Sequence, residues 1–200
     1  MKAKISFIVG AVVLTVACVS AQAQVPITGQ INFTGGATID ASIPNATTFE
    51  TFFGPSGSGG LVVQAGGGLP SGSYAGVPGN TVANFKAPFD FGTPTLPFAL
   101  WTFNFGAQTY SFQVNTVSTD LQFTTPFDYV NVGGTGTGTI TGGSTTYLPT
   151  TEDWSITGTT AAGGLTITIG ASNVAIPEPS TLAFGGLGSL LSIATLIRRK

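Results

Sequence analysis

The sequence predicts an all-β fold for residues 24–176, an antiparallel β-sandwich or flattened barrel, flanked by an N-terminal signal helix and one C-terminal transmembrane helix. Three observations carry this. Apolar residues alternate with polar ones over run after run, the period of a strand with one buried face. No segment between the two termini has a helical period, and the composition is rich in Gly, Thr, Phe and Val. Turn-forming residues recur at roughly ten-residue intervals, as in sandwiches and barrels.

The chain opens with Met1-Lys2-Ala3-Lys4, a short basic region, followed by the apolar run Ile5 to Val19. Ala21-Gln22-Ala23 is a small-x-small pattern, so residues 1–23 read as a secretory signal cleaved by signal peptidase at Ala21/Ala23, and the mature chain starts at Gln24. Cys18 lies in the signal core, which leaves the mature chain without a thiol.

The strands follow in order. Ile27, Ile31 and Phe33 share one face of a first strand, against Thr28, Gln30, Asn32 and Thr34 on the other. Phe53 to Pro78, with Gly54-Pro55-Ser56-Gly57-Ser58-Gly59-Gly60 and Gly66-Gly67-Gly68, reads as loops around short edge strands. Pro88, Pro94 and Pro97 bracket Phe89, Phe91 and Phe98, which predicts a crossing segment whose aromatics cover one end of a core. Trp101, Phe103 and Phe105, then Tyr110, Phe112 and Val114, alternate on either side of Gly106-Ala107-Gln108, a hairpin signal. Leu121 and Phe123, Val130 and Val132, Trp154 and Ile156, and Leu165, Ile167 and Ile169 continue the alternation. Gly133-Gly134-Thr135-Gly136-Thr137-Gly138 lacks the Lys and the following helix of a phosphate-binding loop. It predicts a strand with one bare face, which lets something pack closely, and one threonine face toward water.

After Ile176 come Pro177-Glu178-Pro179, an uncharged apolar run 181–197, and Arg198-Arg199-Lys200. As a helix the 17 residues of that run would reach about 25 Å, slightly short of a ~30 Å hydrocarbon core, a deficit that small bilayer adjustments absorb. The cations behind it keep the terminus cytoplasmic and place the body outside. Prolines on both sides of Glu178 hold that strip extended and readable beside the membrane.

This three-part tail resembles the PEP-CTERM sorting signal, carried here by residues 177–200. The resemblance implies that Pro177, Glu178 and Pro179 are recognised by an exosortase, a membrane-embedded cysteine transpeptidase-like enzyme that removes the tail, and that Arg198, Arg199 and Lys200 are the basic end. Leu100-Trp101-Thr102-Phe103, Thr109-Tyr110-Ser111-Phe112, the Gly-Thr run to Ile140 and Trp154-Ser155-Ile156 look like a recurrent ectodomain of the same proteins. The implied setting is the cell surface or exopolysaccharide matrix of a Gram-negative, biofilm-forming bacterium. The implied partners are the export machinery, signal peptidase, exosortase and, through 181–197 before processing, the membrane.

Charge and composition narrow the function of residues 24–176. Lys86 is the only cation against seven acids (Asp40, Glu50, Asp90, Asp120, Asp128, Glu152 and Asp153), a net charge of −6, which excludes nucleic acid as a partner. The chain has no His and the mature chain no Cys, which removes Ser-His and Cys-His catalysis and most zinc and copper sites. Two facing carboxylates would be needed for glycoside hydrolysis. Glu152 and Asp153 are neighbours in a strand and point to opposite faces, and Asp120 and Asp128 read as turn residues. No calcium-loop pattern is present. The expectation is a protein with no catalytic, cofactor or metal residues. Trp101, Trp154, Tyr74, Tyr110, Tyr129 and Tyr147 are core-filling aromatics, with a sugar-stacking platform for exopolysaccharide as the alternative. Edge pairing between copies, as in a self-assembling adhesin, is a further alternative.

Overall fold

The structure, a computed structural model, describes residues 24–57, 59–66, 70–125, 127–160 and 166–176. The expected signal peptide, with Ala21 and Ala23, and the whole tail from Pro177 to Lys200 lie outside these residues.

Thirteen strands make up the described chain: β1 Val25–Pro26, β2 Gln30–Ile39, β3 Thr48–Phe53, β4 Leu61–Val63, β5 Val82–Phe85, β6 Phe89–Asp90, β7 Phe98–Phe105, β8 Gln108–Val114, β9 Thr119–Phe123, β10 Asp128–Gly142, β11 Tyr147–Leu148, β12 Thr150–Thr160 and β13 Thr166–Ala175. A single 3-10 turn, Gly72–Tyr74, is the only helical element among them. The expected all-β, antiparallel class is what forms. Of the two architectures, it is the barrel: eight strands run β2–β13–β12–β10–β8–β7–β5–β4, and β4 returns to β2. Closure comes from β13, the last strand, which pairs with β2 from Thr166↔Thr38 to Val174↔Gln30. Closing the wall leaves none of those eight strands an edge.

The region 53–78 therefore differs from expectation. β4 is no edge strand. It lies in the wall between β2 and β5, and Leu61, Val62 and Val63 are all buried. Three extra strands attach where two long strands, β2 and β10, outgrow one neighbour. β2 pairs with β4 at Phe33 and Thr34 and then with β3 from Gly36 on, with β6 added beyond β3. β10 pairs with β9 over 129–133 and with β8 over 136–142. Both branch points carry glycine for a steric reason. A Cβ on Gly35 would lie 2.3 Å from Phe53 O, and one on Gly134 would lie 2.1 Å from Thr116 O. Two diverging backbones can crowd the shared strand only where it has no side chain.

Inside, the predicted parity holds along the closed wall, but Leu121, expected on a buried face, is 50% exposed and Phe123 is only half-buried, because β9 pairs with β10 alone and lies outside that wall. Ile31, Phe33, Trp101, Phe103, Tyr110, Phe112, Val130, Val132, Trp154 and Ile156 are all buried. The β7–β8 hairpin turns on two residues, with Gly106 at φ +60° in the first position. Its rings stack in layers: Phe103 and Tyr110 lie 4.8 Å apart and nearly parallel, and Trp101 lies 5.9 Å from Phe112. Phe89 and Phe91 of the proline-rich segment pack on Phe49, covering one end of the core as the sequence predicts.

Candidate functional site

Alternation along β12 sends Thr150, Glu152, Trp154 and Ile156 inward and Thr151 and Asp153 outward. Glu152 is consequently sealed in the barrel at 0% exposure, while Asp153 faces solvent. The two adjacent carboxyls thus point to opposite faces, as expected. The expectation of turn roles fails for Asp120, which lies within β9, and for Asp128, which is buried at the start of β10. Register with β10, not loop chemistry, places both.

Glu152 is the centre of a buried polar chain. Tyr74 Oη donates to Glu152 Oε1 at 2.5 Å, and Trp101 Nε1 donates to Asn173 Oδ1 at 2.9 Å. Asn173 sits on β13, diagonal to Glu152 across the β12–β13 pair. Its amide lowers the proton affinity of Glu152, yet Asn173 Nδ2 and Glu152 Oε2 both lack a hydrogen-bond partner. Their contact is therefore electrostatic, at poorer geometry than a hydrogen bond. Desolvation dominates and pushes the Glu152 carboxyl up to about 7, against the pull of Tyr74 and Asn173. Burial, then the nearby Glu152 charge, pushes the Tyr74 hydroxyl far above its ordinary range.

The Gly-Thr strand makes room for this group. A Cβ on Gly138 would lie 2.0 Å from Glu152 Oε1, and one on Gly136 would lie 2.2 Å from Phe112 Cζ. The bare face of β10 thus receives a carboxyl and a ring, while Thr135, Thr137 and Thr139 look outward. The alternation of Gly and Thr announces the bare face but not its occupant. Inward parity with Trp154 was the available signal for Glu152. Its partners lie 78 and 21 residues away along the chain and gave none.

Two exposed acids, Asp40 and Asp90, hold loops. Asp40 accepts from Thr47 N at 2.9 Å, Thr48 N at 3.0 Å and Thr47 Oγ1 at 2.7 Å, and Asp90 accepts from Thr93 N at 2.8 Å. Partial burial opposes ionisation of Asp40, but these donors outweigh it and hold its carboxyl below the usual range. Among the described residues, no three His, Cys, Asp or Glu side chains gather as metal ligands would.

Of the six aromatics weighed as a sugar platform, Trp101, Trp154, Tyr74 and Tyr110 are buried in the core. Tyr129 and Tyr147 are half-buried. Tyr129 stacks on Phe123 at 4.7 Å on the outer wall. It borders a shallow depression of about 280 Å³ lined by Thr34, Gln64, Thr157, Thr159, Thr168 and Gly170, with no charged side chain. Three of these threonines also line a wider depression of about 580 Å³ beside Phe53 and Pro55.

The wall ends where the tail begins. β13 finishes at Ala175, and Ile176 N donates to Thr151 O at 2.9 Å. The family model of the PEP-CTERM protein-sorting motif matches residues 175–200, so the match starts on the last residue of the barrel. The motif implies exosortase as processing partner, export, and a membrane-anchored precursor processed to the cell surface. No curated protein and no solved structure matches the chain.

Proposed function

We propose that this chain is a non-catalytic secreted barrel which, once exosortase has removed its PEP-CTERM tail, serves as a cell-surface or extracellular-matrix component of a biofilm. The observation that carries the reading is the sorting motif joined directly to the last wall strand, with no intervening linker. The interior supports a structural role as well: Glu152, the most deeply buried acid among the described residues, is enclosed where no substrate reaches it. Replacing Pro177-Glu178-Pro179 by Ala-Ala-Ala tests the sorting step. Full-length protein is expected to accumulate in the inner membrane, while wild-type cultures release a shortened form. Released wild-type protein that still ends at Lys200 would refute the reading.

A second reading, a carbohydrate-binding module for exopolysaccharide, is favoured by the uncharged threonine-lined depression that ends at Tyr129. Hydroxyls and one half-buried ring suit a neutral glycan better than an ionic ligand. A glycan array on the mature protein and its Tyr129→Ala variant separates the readings: binding lost in the variant supports the module, and no binding leaves the structural role. Self-assembly through open edges has less support, because all eight wall strands are paired on both sides. Light scattering that rises with concentration would revive it.

A further inference from the structure

The barrel has two dissimilar ends. At one end lie Val25, Leu148 and Ile176, gathered by the β1–β11 pair and by the Ile176–Thr151 hydrogen bond. Val174 stands just above them on the outer wall. These are four of the eight large apolar side chains that the described residues expose, between 38% and 45% each. Pro26 and Pro149 are exposed beside them.

Charge is distributed the other way. Asp40 follows the far end of β2, Glu50 and Asp90 sit on β3 and β6 beside it, and Asp128 pairs with Thr160 at the far end of β12. Asp120 lies toward the same end, opposite Val132. Lys86, whose Nζ lies 4.5 Å over the Phe98 ring, is there too. Among the described residues, the apolar-rimmed end holds only buried Glu152 and, on its outer wall, Asp153. With the signal peptide removed at Ala23, the new α-amino group of Gln24 adds one positive charge there.

The tail leaves from this end. Five residue steps separate Ile176 from Thr181, where the apolar run starts, and they span at most about 18 Å even when fully extended. Resting on the tail-anchored precursor proposed above, we infer that this end of the barrel is a membrane-apposed face that lies on the lipid bilayer before the tail is removed. Val25, Leu148, Val174 and Ile176 meet the headgroup boundary, and the acids at the far end stay clear of lipid phosphates. Partly exposed apolar side chains gain most at such a boundary, and a negatively charged body avoids anionic lipid by turning its less acidic end toward it, where Asp153 is offset by the Gln24 amino group.

The test uses the tail-bearing chain from Gln24 to Lys200, which has no native thiol, and a single fluorophore attached at Thr146→Cys near Val25 or at Thr95→Cys at the far end. Both positions are exposed. The protein is placed in vesicles of phosphatidylethanolamine and phosphatidylglycerol containing headgroup spin-labelled lipid, and flotation confirms anchoring. The expected result is strong quenching at position 146 and none at 95, with the quenching at 146 lost in a Val25→Asp/Val174→Asp variant that still floats. Equal quenching at both positions, none at 146, or quenching unchanged by the two aspartates overturns the apposed face while the anchor stands. Protein that does not float overturns the anchor, and this inference with it.

Discussion

Glu152→Gln should make the folded domain more stable at pH 8 and leave it nearly unchanged at pH 4. In the folded barrel this carboxyl titrates at about 7, against 4.5 for an unperturbed glutamate. The folded state therefore holds the proton more tightly than the unfolded one. Below the unfolded value both states are protonated and the group costs nothing. As pH rises from about 4.5 toward 7 the unfolded chain ionises first, and stability falls; above 7 the loss is complete. At 1.36 kcal/mol per pKa unit, the difference corresponds to roughly 3 kcal/mol. Asp40 and Asp90, whose carboxyls are held below their ordinary range, act at lower pH and with the opposite sign, so the windows separate. Glutamine keeps the shape without the charge. Its amide nitrogen can donate to Tyr74 Oη while its oxygen accepts from Asn173 Nδ2, satisfying an atom now without a partner. For a domain of this size the gain at pH 8 is a rise in Tm of about 6–12 °C, and urea melts at pH 4, 6 and 8 would follow it. A variant that keeps the wild-type slope between pH 5 and 7 would show that Glu152 is not the titrating group.

The rest of the buried chain and its loop supports make further predictions. Tyr74→Phe removes the one hydrogen bond to Glu152 Oε1, which should cost about 1–3 kcal/mol; the loss should be larger at pH 8 than at pH 5, and the pH midpoint read from urea melts should move upward. Gly138→Ala places a Cβ against the Glu152 carboxyl, so it should destabilise by about 1–3 kcal/mol alone and much less in a Glu152→Ala background; a double-mutant cycle that proves additive would count against the contact. Asp40→Ala removes three hydrogen bonds that close the 40–48 loop, at a cost of order 1 kcal/mol, and should flatten the acid limb of the stability curve below pH 4.

Much of the wall was legible because strand parity is local. Trp101, Phe103, Tyr110 and Phe112 are buried for the reason their alternation states: successive side chains must point to opposite faces. The bare face of the Gly-Thr strand follows from the same rule, and so does the opposition of Glu152 and Asp153. The tail was legible for another reason. An apolar run, a cationic end and paired prolines act through composition and order along the chain, without a folded partner.

Alternation says which face a residue takes but not which strand lies beside it. β13 closes on β2 across more than a hundred residues, and that pairing turned the expected sandwich or flattened barrel into a closed wall and put β4 inside it rather than at an edge. The same closure carried Tyr74 to Glu152 and Asn173 to Trp101, and placed Asp120 and Asp128 in strands. The amino-acid order by itself determined where this protein is sent and which side chains face inward. Only the tertiary structure decided what those side chains meet, and which end of the barrel the tail leaves from, because strand pairing at long range is settled by the summed packing of the whole wall and not by any one segment.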